Sequence, residues 1–376
     1  MRKSFRYRIY PTPKQEATLD EQLRLCRWLY NAGLEQRIWA WKKRKLSISK
    51  YDQMRELSES KLEHPEFKLV NSQVLQGVLQ RLDQAYQRFF SGAGFPRFKS
   101  RDRFKSMTFT QTGYKLGERK LKLANVGEVR IKLSRPTEGE IKTLTITRDS
   151  SGHWYASFSC DLGSSQAPRR QVEVEAGIDL GLEKFLTCSD GSMVPNPRHF
   201  RESEAKLTSR HRKLASKPKQ KRTRNREKAK LLVAKAYEKV RNQRRDFHFK
   251  LANYLIRTYD RIAHEDLNIR GMSASASGTV EAPGSNVAQK AGVNKSILDA
   301  GWRQFLEILR FKAESAGVEV IGVDPRNTSQ VCSSCGSLTR KGLNERVHAC
   351  DCGLRIDRDW NAALNILRLG QSLSAS

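Results

Sequence analysis

Cys332-x-x-Cys335-Gly336 and Cys350-x-Cys352-Gly353 place four thiols in two close pairs within one short stretch. Two such knuckles suit a tetrahedral Zn²⁺ ion, which in a structural site takes four soft ligands and excludes solvent. The glycines allow backbone amides to approach the sulfurs. The second knuckle is tighter than the C-x-x-C of a zinc ribbon, so His348 stands as a reserve ligand behind the four cysteines; reduced cysteines without metal are the alternative. Such an ion stabilises structure and takes no part in catalysis. The acids form a second set. Asp179 sits alone between Gly177 and Gly181, Glu265-Asp266 closes a short apolar run, and Asp357-Arg358-Asp359 precedes a helical pattern. Singly, each has an ordinary reading as a helix N-cap or a strand end. Together, carboxylates at strand ends and a helix start can converge on divalent cations, because clustered like charges raise their own pKa values unless cations neutralise them. Two Mg²⁺ ions about 3.5–4 Å apart would then clamp the attacking and leaving oxygens of a phosphodiester.

The elements that must position these groups follow from period and punctuation. Val172, Val174, Ala176, Ile178 and Leu180 fall on one face of a strand with Asp179 on the other, and residues 183–194 return as a hairpin. Residues 198–258 are helical and intensely basic, with Leu231, Ala234, Val240, Phe247, Leu251 and Leu255 as the buried stripe. A strand over 262–267 carries Glu265. Residues 273–292, rich in Ser, Ala and Gly, read as a mobile loop. A helix over 297–316, a strand over 318–323 and a final helix from about 360 complete this half. Upstream, Thr12-Pro13-Lys14-Gln15 is a capping box with proline at the first helical position, opening a long helix along Leu19, Leu23, Cys26, Tyr30 and Leu34. A second helix spans 71–90, with Ser72, Gln73, Gln76, Gln80, Gln84 and Gln87 opposite its apolar stripe; on pattern alone this is first a solvated face, and, since glutamines can contact adenine edges, second a DNA-reading one. From 105 to 165 the period is two, with a hairpin turning at Asp149-Ser150-Ser151-Gly152. Phe5, Tyr7 and Ile9 alternate as well, so 1–11 adds a strand there and the helices between are an insertion.

Composition bounds the partners. The 376 residues include 70 Lys plus Arg against 40 Asp plus Glu, a formal net charge of +30, which implies a polyanionic partner, nucleic acid before an anionic membrane. Seven cysteines, four of them clustered, fit a reducing compartment and one metal site rather than a disulfide framework. No apolar run approaches the roughly 18 residues of a membrane span, and the first residues lack the apolar core of a secretory signal. The expectation is a soluble, cytoplasmic protein with no membrane partner.

The ordered set Gly177-Ile-Asp-Leu-Gly-Leu-Glu183, His264-Glu-Asp-Leu-Asn268, Thr328-Ser-Gln-Val-Cys-Ser-Ser-Cys-Gly336 and Asp357-Arg-Asp-Trp-Asn-Ala-Ala-Leu-Asn-Ile-Leu367 resembles the transposon-encoded TnpB family of bacterial insertion sequences, relatives of type V CRISPR nucleases. Tyr10-Pro-Thr-Pro-Lys-Gln15, Gly94-Phe-Pro-Arg-Phe-Lys99 and Asp299-Ala-Gly-Trp302 extend the likeness over nearly the whole chain. The resemblance implies a multidomain α/β protein. A wedge β-barrel (1–11 and 105–170) carries a helical recognition insertion (12–104). An RNase H-like RuvC nuclease domain (171–331 and 356–376) carries a zinc-binding, target-nucleic-acid-binding insert (332–355). It implies a metal-binding catalytic triad of Asp179, Glu265 and Asp359 on two Mg²⁺, Asp359 being chosen over Asp357 because it immediately precedes the x-Asn-Ala-Ala helix. It implies one structural Zn²⁺ on Cys332, Cys335, Cys350 and Cys352. It places Tyr51, Ser72, Gln73, Gln76, Thr110 and Gln111 where a short transposon-adjacent DNA motif is read. The activity implied is RNA-guided cleavage of double-stranded DNA, with a guide RNA from the transposon end and a monomeric protein in the ribonucleoprotein. Arg210, Arg212, Lys213, Lys217, Lys219, Lys221, Arg222, Arg224 and Arg226 would hold nucleic-acid backbone. An unguided RuvC-like nuclease and a non-catalytic guided repressor are the rival readings. Two departures from the family pattern stand out: the Cys-x-Cys knuckle and a long 271–294 loop.

Overall fold

The computed structural model describes residues 2–110, 112–163, 168–218, 223–279, 281–342 and 345–375. Gln111, Lys219, Lys221 and Arg222 lie outside the described residues. The chain forms two compact units, Met1–Ser165 and Gln166–Ser376.

In the first unit, strand β1 (Arg2–Tyr10) leads into helices α1 (Pro13–Arg44), α2 (Lys50–Glu63) and α3 (Ser72–Phe90). Strands β2 (Ser106–Phe109), β3 (Tyr114–Leu116), β4 (Lys120–Leu123), β5 (Gly127–Lys132), β6 (Glu140–Arg148) and β7 (Trp154–Asp161) follow. The capping box of α1 forms in full: Gln15 N–H donates to Thr12 Oγ1, and Thr12 N–H to Gln15 Oε1 at 3.0 Å. A second box, Ser49 with Asp52, starts α2. The seven strands make one antiparallel sheet in the order β2-β6-β7-β1-β5-β4-β3. β1 lies in its middle, with Phe5 opposite Phe158. β2 and β3 are its two edges, yet they are consecutive in the chain. At most about 18 Å of extended backbone joins Phe109 to Tyr114, so the sheet must curl until its edges nearly meet. The hairpin of β6 and β7 pairs Leu144 with Phe158 and Ile146 with Ala156, and these inward side chains pack with Phe5, Tyr7, Ile9 and the apolar faces of α1 and α3 in one core.

In the second unit, β8 (Glu175–Asp179), β9 (Lys184–Cys188) and β10 (Met193–Pro195) precede α4 (His199–Ala215) and α5 (Arg224–Thr258). Then come β11 (Arg261–Glu265), α6 (Ile269–Met272), α7 (Val287–Ala300), α8 (Trp302–Ala316), β12 (Glu319–Val323), β13 (Val347–Ala349), β14 (Arg355–Asp357) and α9 (Arg358–Ala375). Five strands form a mixed sheet, β10-β9-β8-β11-β12. β9 runs antiparallel to its neighbours, while β8, β11 and β12 run parallel. β13 and β14 form a separate antiparallel hairpin. Asp299 explains part of the Asp-Ala-Gly-Trp segment: it accepts from the Phe200 and Arg201 N–H groups at 2.9 and 3.2 Å and from Arg244 at 3.1 Å. It thereby supplies the first turn of α4 with the cap its own N-terminal residue lacks.

Four sequence expectations shift. The strand of Asp179 begins at Glu175, not Val172. The Asp260 carboxylate takes the N–H groups of Glu173 and Val174, and the Val174 carbonyl takes the Asp260 N–H, so this stretch is tied to a turn instead of a ladder. The basic region 198–258 is two helices, and the stripe of α5 runs through Val233, Ala236, Val240, Leu251 and Leu255, with Leu231, Ala234 and Phe247 only half-buried. The loop expected over 273–292 gives way to α7 at Val287. The helix expected over 297–316 is two, because Gly301 takes φ 69° and breaks the ladder between α7 and α8. Among the described residues, no helix is long and apolar enough to cross a membrane.

Candidate active site and metal centre

β8 and β11 are parallel neighbours, with Ile178 opposite His264. The next residues, Asp179 and Glu265, therefore stand side by side at the carboxyl ends of adjacent central strands. Asp359 comes from the first turn of α9, which lies directly on these strands. Two glycines set that approach. A Cβ on Gly177 would come 2.1 Å from the Ala363 carbonyl oxygen, and one on Gly370 would come 2.5 Å from the Ala263 methyl. The helix can rest there only because both positions lack a side chain. Gln371 and Trp360 add hydrogen bonds to Glu175 (2.7 Å) and to the Ser189 carbonyl (2.9 Å).

The electrostatics of the three acids are coupled. Burial raises the Asp179 carboxyl well above the usual carboxylate range, and the charges of Glu265 and Asp359 raise it further. Burial also raises Glu265 and Asp359, the latter helped by Asp357. A cation among these raised carboxyls would favour their ionised forms, and oxygen donors of this kind suit Mg²⁺. Among the described residues, their oxygens do not all come within 4.8 Å of one another, so the cluster is open rather than a closed cage for one ion. Asp357 has a different environment. It accepts from Lys184 at 2.7 Å and from the Asp359 and Trp360 N–H groups at 2.9 and 3.2 Å, making it the N-cap of α9. Its burial would raise its carboxyl, but these bonds outweigh burial and hold it below the usual value.

Sequence reasoning missed the residues that hold the acids. Thr328 donates to Glu265 Oε1 at 2.5 Å. The Thr328 carbonyl in turn accepts from Asn365 at 2.9 Å, and both Asn361 and Asn365 donate to the Val331 carbonyl at 2.7 Å. Asn361 also accepts from the Ser333 N–H at 2.9 Å. These two buried amides of α9 thus fasten the segment from Glu265's partner to the first cysteine knuckle. His264 is fully buried; its Nε2 faces the Arg310 guanidinium (3.1 Å), so its Nδ1–H donates to the Glu265 carbonyl at 2.7 Å. Burial lowers its pKa, keeping the ring neutral.

The four sulfurs of Cys332, Cys335, Cys350 and Cys352 all lie within 4.8 Å of one another. Cys332–Cys352 and Cys335–Cys350 are each 3.6 Å apart. A ZnS₄ tetrahedron with bonds of about 2.3 Å has edges of about 3.8 Å, so the donor set fits that ion. Each knuckle is a tight turn: Gly336 N–H donates to the Cys332 carbonyl and Gly353 N–H to the Cys350 carbonyl. Both glycines take positive φ, 79° and 90°, which a side chain would strain. The backbone N–H of Cys352 and the Ser337 hydroxyl pull the Cys350 thiol down to about 6. His348 is not among the converging atoms; it is buried on β13 with its Nδ1 against the Lys341 ammonium.

On the first unit, Gln73 Oε1 accepts from the Thr110 and Thr112 hydroxyls at 2.5 and 2.9 Å, and Ser72 accepts from Lys61 at 2.6 Å. Ser72, Gln73, Gln76 and Thr110 thus share one surface. Tyr51 does not join them. α2 runs antiparallel to α3, with Lys50 beside Asp83 and Lys61 beside Ser72, which leaves Tyr51 roughly 15 Å along α3 from Gln73. On the second unit, Arg210 donates to the Leu232 carbonyl at 2.6 Å and Arg226 to the Lys217 carbonyl at 2.8 Å, bracing α4 against α5. Arg212, Lys213 and Arg224 are exposed.

Residues 157–276 match a family model of the OrfB IS605 type described as "Probable transposase", and residues 302–366 match the Cas12f1-like TNB domain. Residues 1–45 match a helix-turn-helix domain, although this stretch holds β1 and one helix, with the second helix beyond it. A Streptomyces pristinaespiralis protein named provisionally as an RNA-guided DNA endonuclease is 33% identical over 100% of this chain and 91% of its own length. An Escherichia coli (strain K12) protein of the same provisional description is 31% identical over 99% and 93%. Among solved structures, a Cas12f1–sgRNA–target DNA complex aligns with TM-score 0.55 at 14% identity, covering 97% of this chain and 98% of that one. The mini-RNA-guided endonuclease CRISPR-Cas_phi3 aligns with TM-score 0.51 at 11% identity, covering 98% and 92%. These likenesses establish the fold, that of the small Cas12 nucleases with a RuvC-like domain and a TNB domain. The identity of 33% and 31% to the two curated relatives over essentially the whole chain places this chain in the TnpB family.

Proposed function

We propose that this protein is an RNA-guided DNA endonuclease of a bacterial insertion sequence, cutting target DNA beside a short transposon-adjacent motif. The observation that carries the reading is the convergence of Asp179, Glu265 and Asp359 from two strand ends and a helix start. The names of its full-length relatives support guidance by RNA, and the net charge of +30 suits two nucleic-acid partners. The protein would read the flanking motif and the shape of the heteroduplex, leaving sequence to base pairing.

In this reading Asp179, Glu265 and Asp359 hold two Mg²⁺. When bound, the ions supply Lewis acidity at the scissile phosphate and an activated water. Thr328 opposes the rise that burial imposes on the Glu265 carboxyl and aims it, and Asp357, fixed by Lys184, caps the helix that presents Asp359. Cys332, Cys335, Cys350 and Cys352 hold one structural Zn²⁺ in the target-nucleic-acid-binding insert, 332–355. Residues 1–11 and 105–170 act as the wedge, 12–104 as the recognition insertion, and 171–331 with 356–376 as the nuclease. Ser72, Gln73, Gln76 and Thr110 are the candidates for reading the motif, and Arg212, Lys213 and Arg224 for holding phosphates, a salt-sensitive contribution. The test is Asp179→Ala in the purified ribonucleoprotein: RNA retention stays at the wild-type level while Mg²⁺-dependent cleavage is lost. Retained cleavage would falsify the site assignment.

A further inference from the structure

Helix α1 carries a second stripe besides its buried one. Arg24, Arg27, Trp28, Asn31 and Glu35 recur at helical spacing and, with Phe98, line a half-open cavity of about 350 Å³. Trp28 and Phe98 are 44% and 53% exposed, too open to be core residues. Trp28 is held in place all the same: His64 and Phe67 pack against its ring, with centroids 4.9 and 5.5 Å away. Phe98 is fixed through its neighbour. Asn31 accepts from the Lys99 N–H at 2.8 Å and donates to the Lys99 carbonyl at 3.1 Å, an amide–peptide pair that staples the segment to α1. Two aromatic walls therefore stand preformed beside an opening. The polar groups at its rim are of opposite sign. Arg24 is engaged by Glu21 at 2.6 Å, whereas neither Arg27 nor Glu35 has an ion-pair partner among the described residues.

We infer that this cavity takes one unstacked nucleobase of the bound nucleic acid, guanine by preference. Aromatic side chains at hand-hold positions are the usual platform for a splayed-out base. Arg27 is placed to meet the adjoining phosphate. Glu35 presents two acceptor oxygens, and guanine alone offers two neighbouring donors, N1–H and N2–H, on one edge, so it alone can pair with a carboxylate at two points. Adenine and cytosine offer one amino group there and uracil one imide N–H. The inference rests on the nucleic-acid reading above, but not on the nuclease site.

The experiment is ultraviolet cross-linking of the full-length ribonucleoprotein, with and without a target DNA duplex, followed by mass analysis of the peptides. Guanine adducts are expected on the peptides containing Trp28 or Phe98. A ribose-bearing adduct identifies the RNA as the source and a deoxyribose-bearing one the DNA. Phe98→Ala should lower their yield about tenfold, and Glu35→Gln should abolish the preference for guanine. Both positions are exposed, so the melting temperature of each variant should match the parent. Adducts on α4 or α5 without any at Trp28 or Phe98 overturn the pocket alone. Adducts here with no base preference overturn the role of Glu35. No adduct anywhere overturns the nucleic-acid reading itself.

Discussion

Gly177 and Ala363 touch backbone to backbone: a methyl group added to the glycine would lie 2.1 Å from the alanine's carbonyl oxygen. The strand that ends in Asp179 and the helix that begins at Asp359 are in register because of this contact. Gly177→Ala must push α9 off the sheet. The expected cost is about 1–3 kcal/mol by the scale of overpacked cores, read as a lower melting temperature. Cleavage should fall further than stability does, because Asp359 moves away from Asp179 and Glu265.

Thr328 donates a hydrogen bond to the Glu265 carboxylate. Burial raises that carboxyl, and the Thr328 hydrogen bond opposes the rise. Thr328→Val removes the opposition, so the carboxyl's pKa moves higher and the site fills with protons at a higher pH. The acidic limb of the pH–rate profile should therefore shift to higher pH, with a loss of about tenfold on its slope if one pKa unit is involved. An unchanged limb would mean that Glu265 does not limit the reaction there.

The crowded, half-buried acids should also cost stability when no metal is present. Asp179 is raised in the folded state, so between its unfolded value and its folded one the native protein binds more protons than the unfolded chain. Stability then falls as pH climbs through that window and is lowest above it. Asp179→Asn removes the burden: in EDTA at neutral pH the variant should melt at a higher temperature than the parent. Adding Mg²⁺ should raise the parent's melting temperature and narrow the gap. The variant would be more stable and inactive. Equal melting in EDTA would show that the carboxyl is not confined with its two neighbours.

The cysteine cluster makes a separate prediction. Elemental analysis should find one Zn²⁺ per chain, absent from Cys335→Ser or Cys350→Ser. His348→Ala should keep its zinc, because the imidazole lies outside the four-sulfur set. Since Asn361 and Asn365 tie Val331 and Ser333 to α9, zinc loss should reduce cleavage as well as loosening the insert.

The sequence made some of this visible and hid the rest for physical reasons. The capping box at Thr12 is local, needs only four residues, and forms as read. The alternation of Phe5, Tyr7 and Ile9 signals a buried strand face, and β1 sits mid-sheet accordingly. Asp179, Glu265-Asp266 and Asp357-Arg358-Asp359 stood out as acids beside glycines and apolar runs, while the choice of Asp179, Glu265 and Asp359 among them is what the family resemblance implies. Their partners did not stand out: Lys184 reaches Asp357, and Thr328 reaches Glu265, across long stretches of chain whose pairing only the fold sets. The start of α7 was obscured by composition, since small residues give little periodic signal. Gly301 lay inside a continuous apolar pattern that concealed its left-handed turn.

The central claim is guidance, and a guide-exchange cleavage assay tests it most directly. The protein would be expressed with its native flanking DNA, purified in high salt, and its retained RNA sequenced. The variable 3′ segment of that RNA would then be replaced, and plasmids matching the old or the new segment offered with Mg²⁺. The account predicts one discrete retained RNA and a cut that moves to the newly matched plasmid, abolished by Asp179→Ala. Random or absent RNA, or cutting indifferent to the exchanged segment, would contradict it and favour an unguided nuclease.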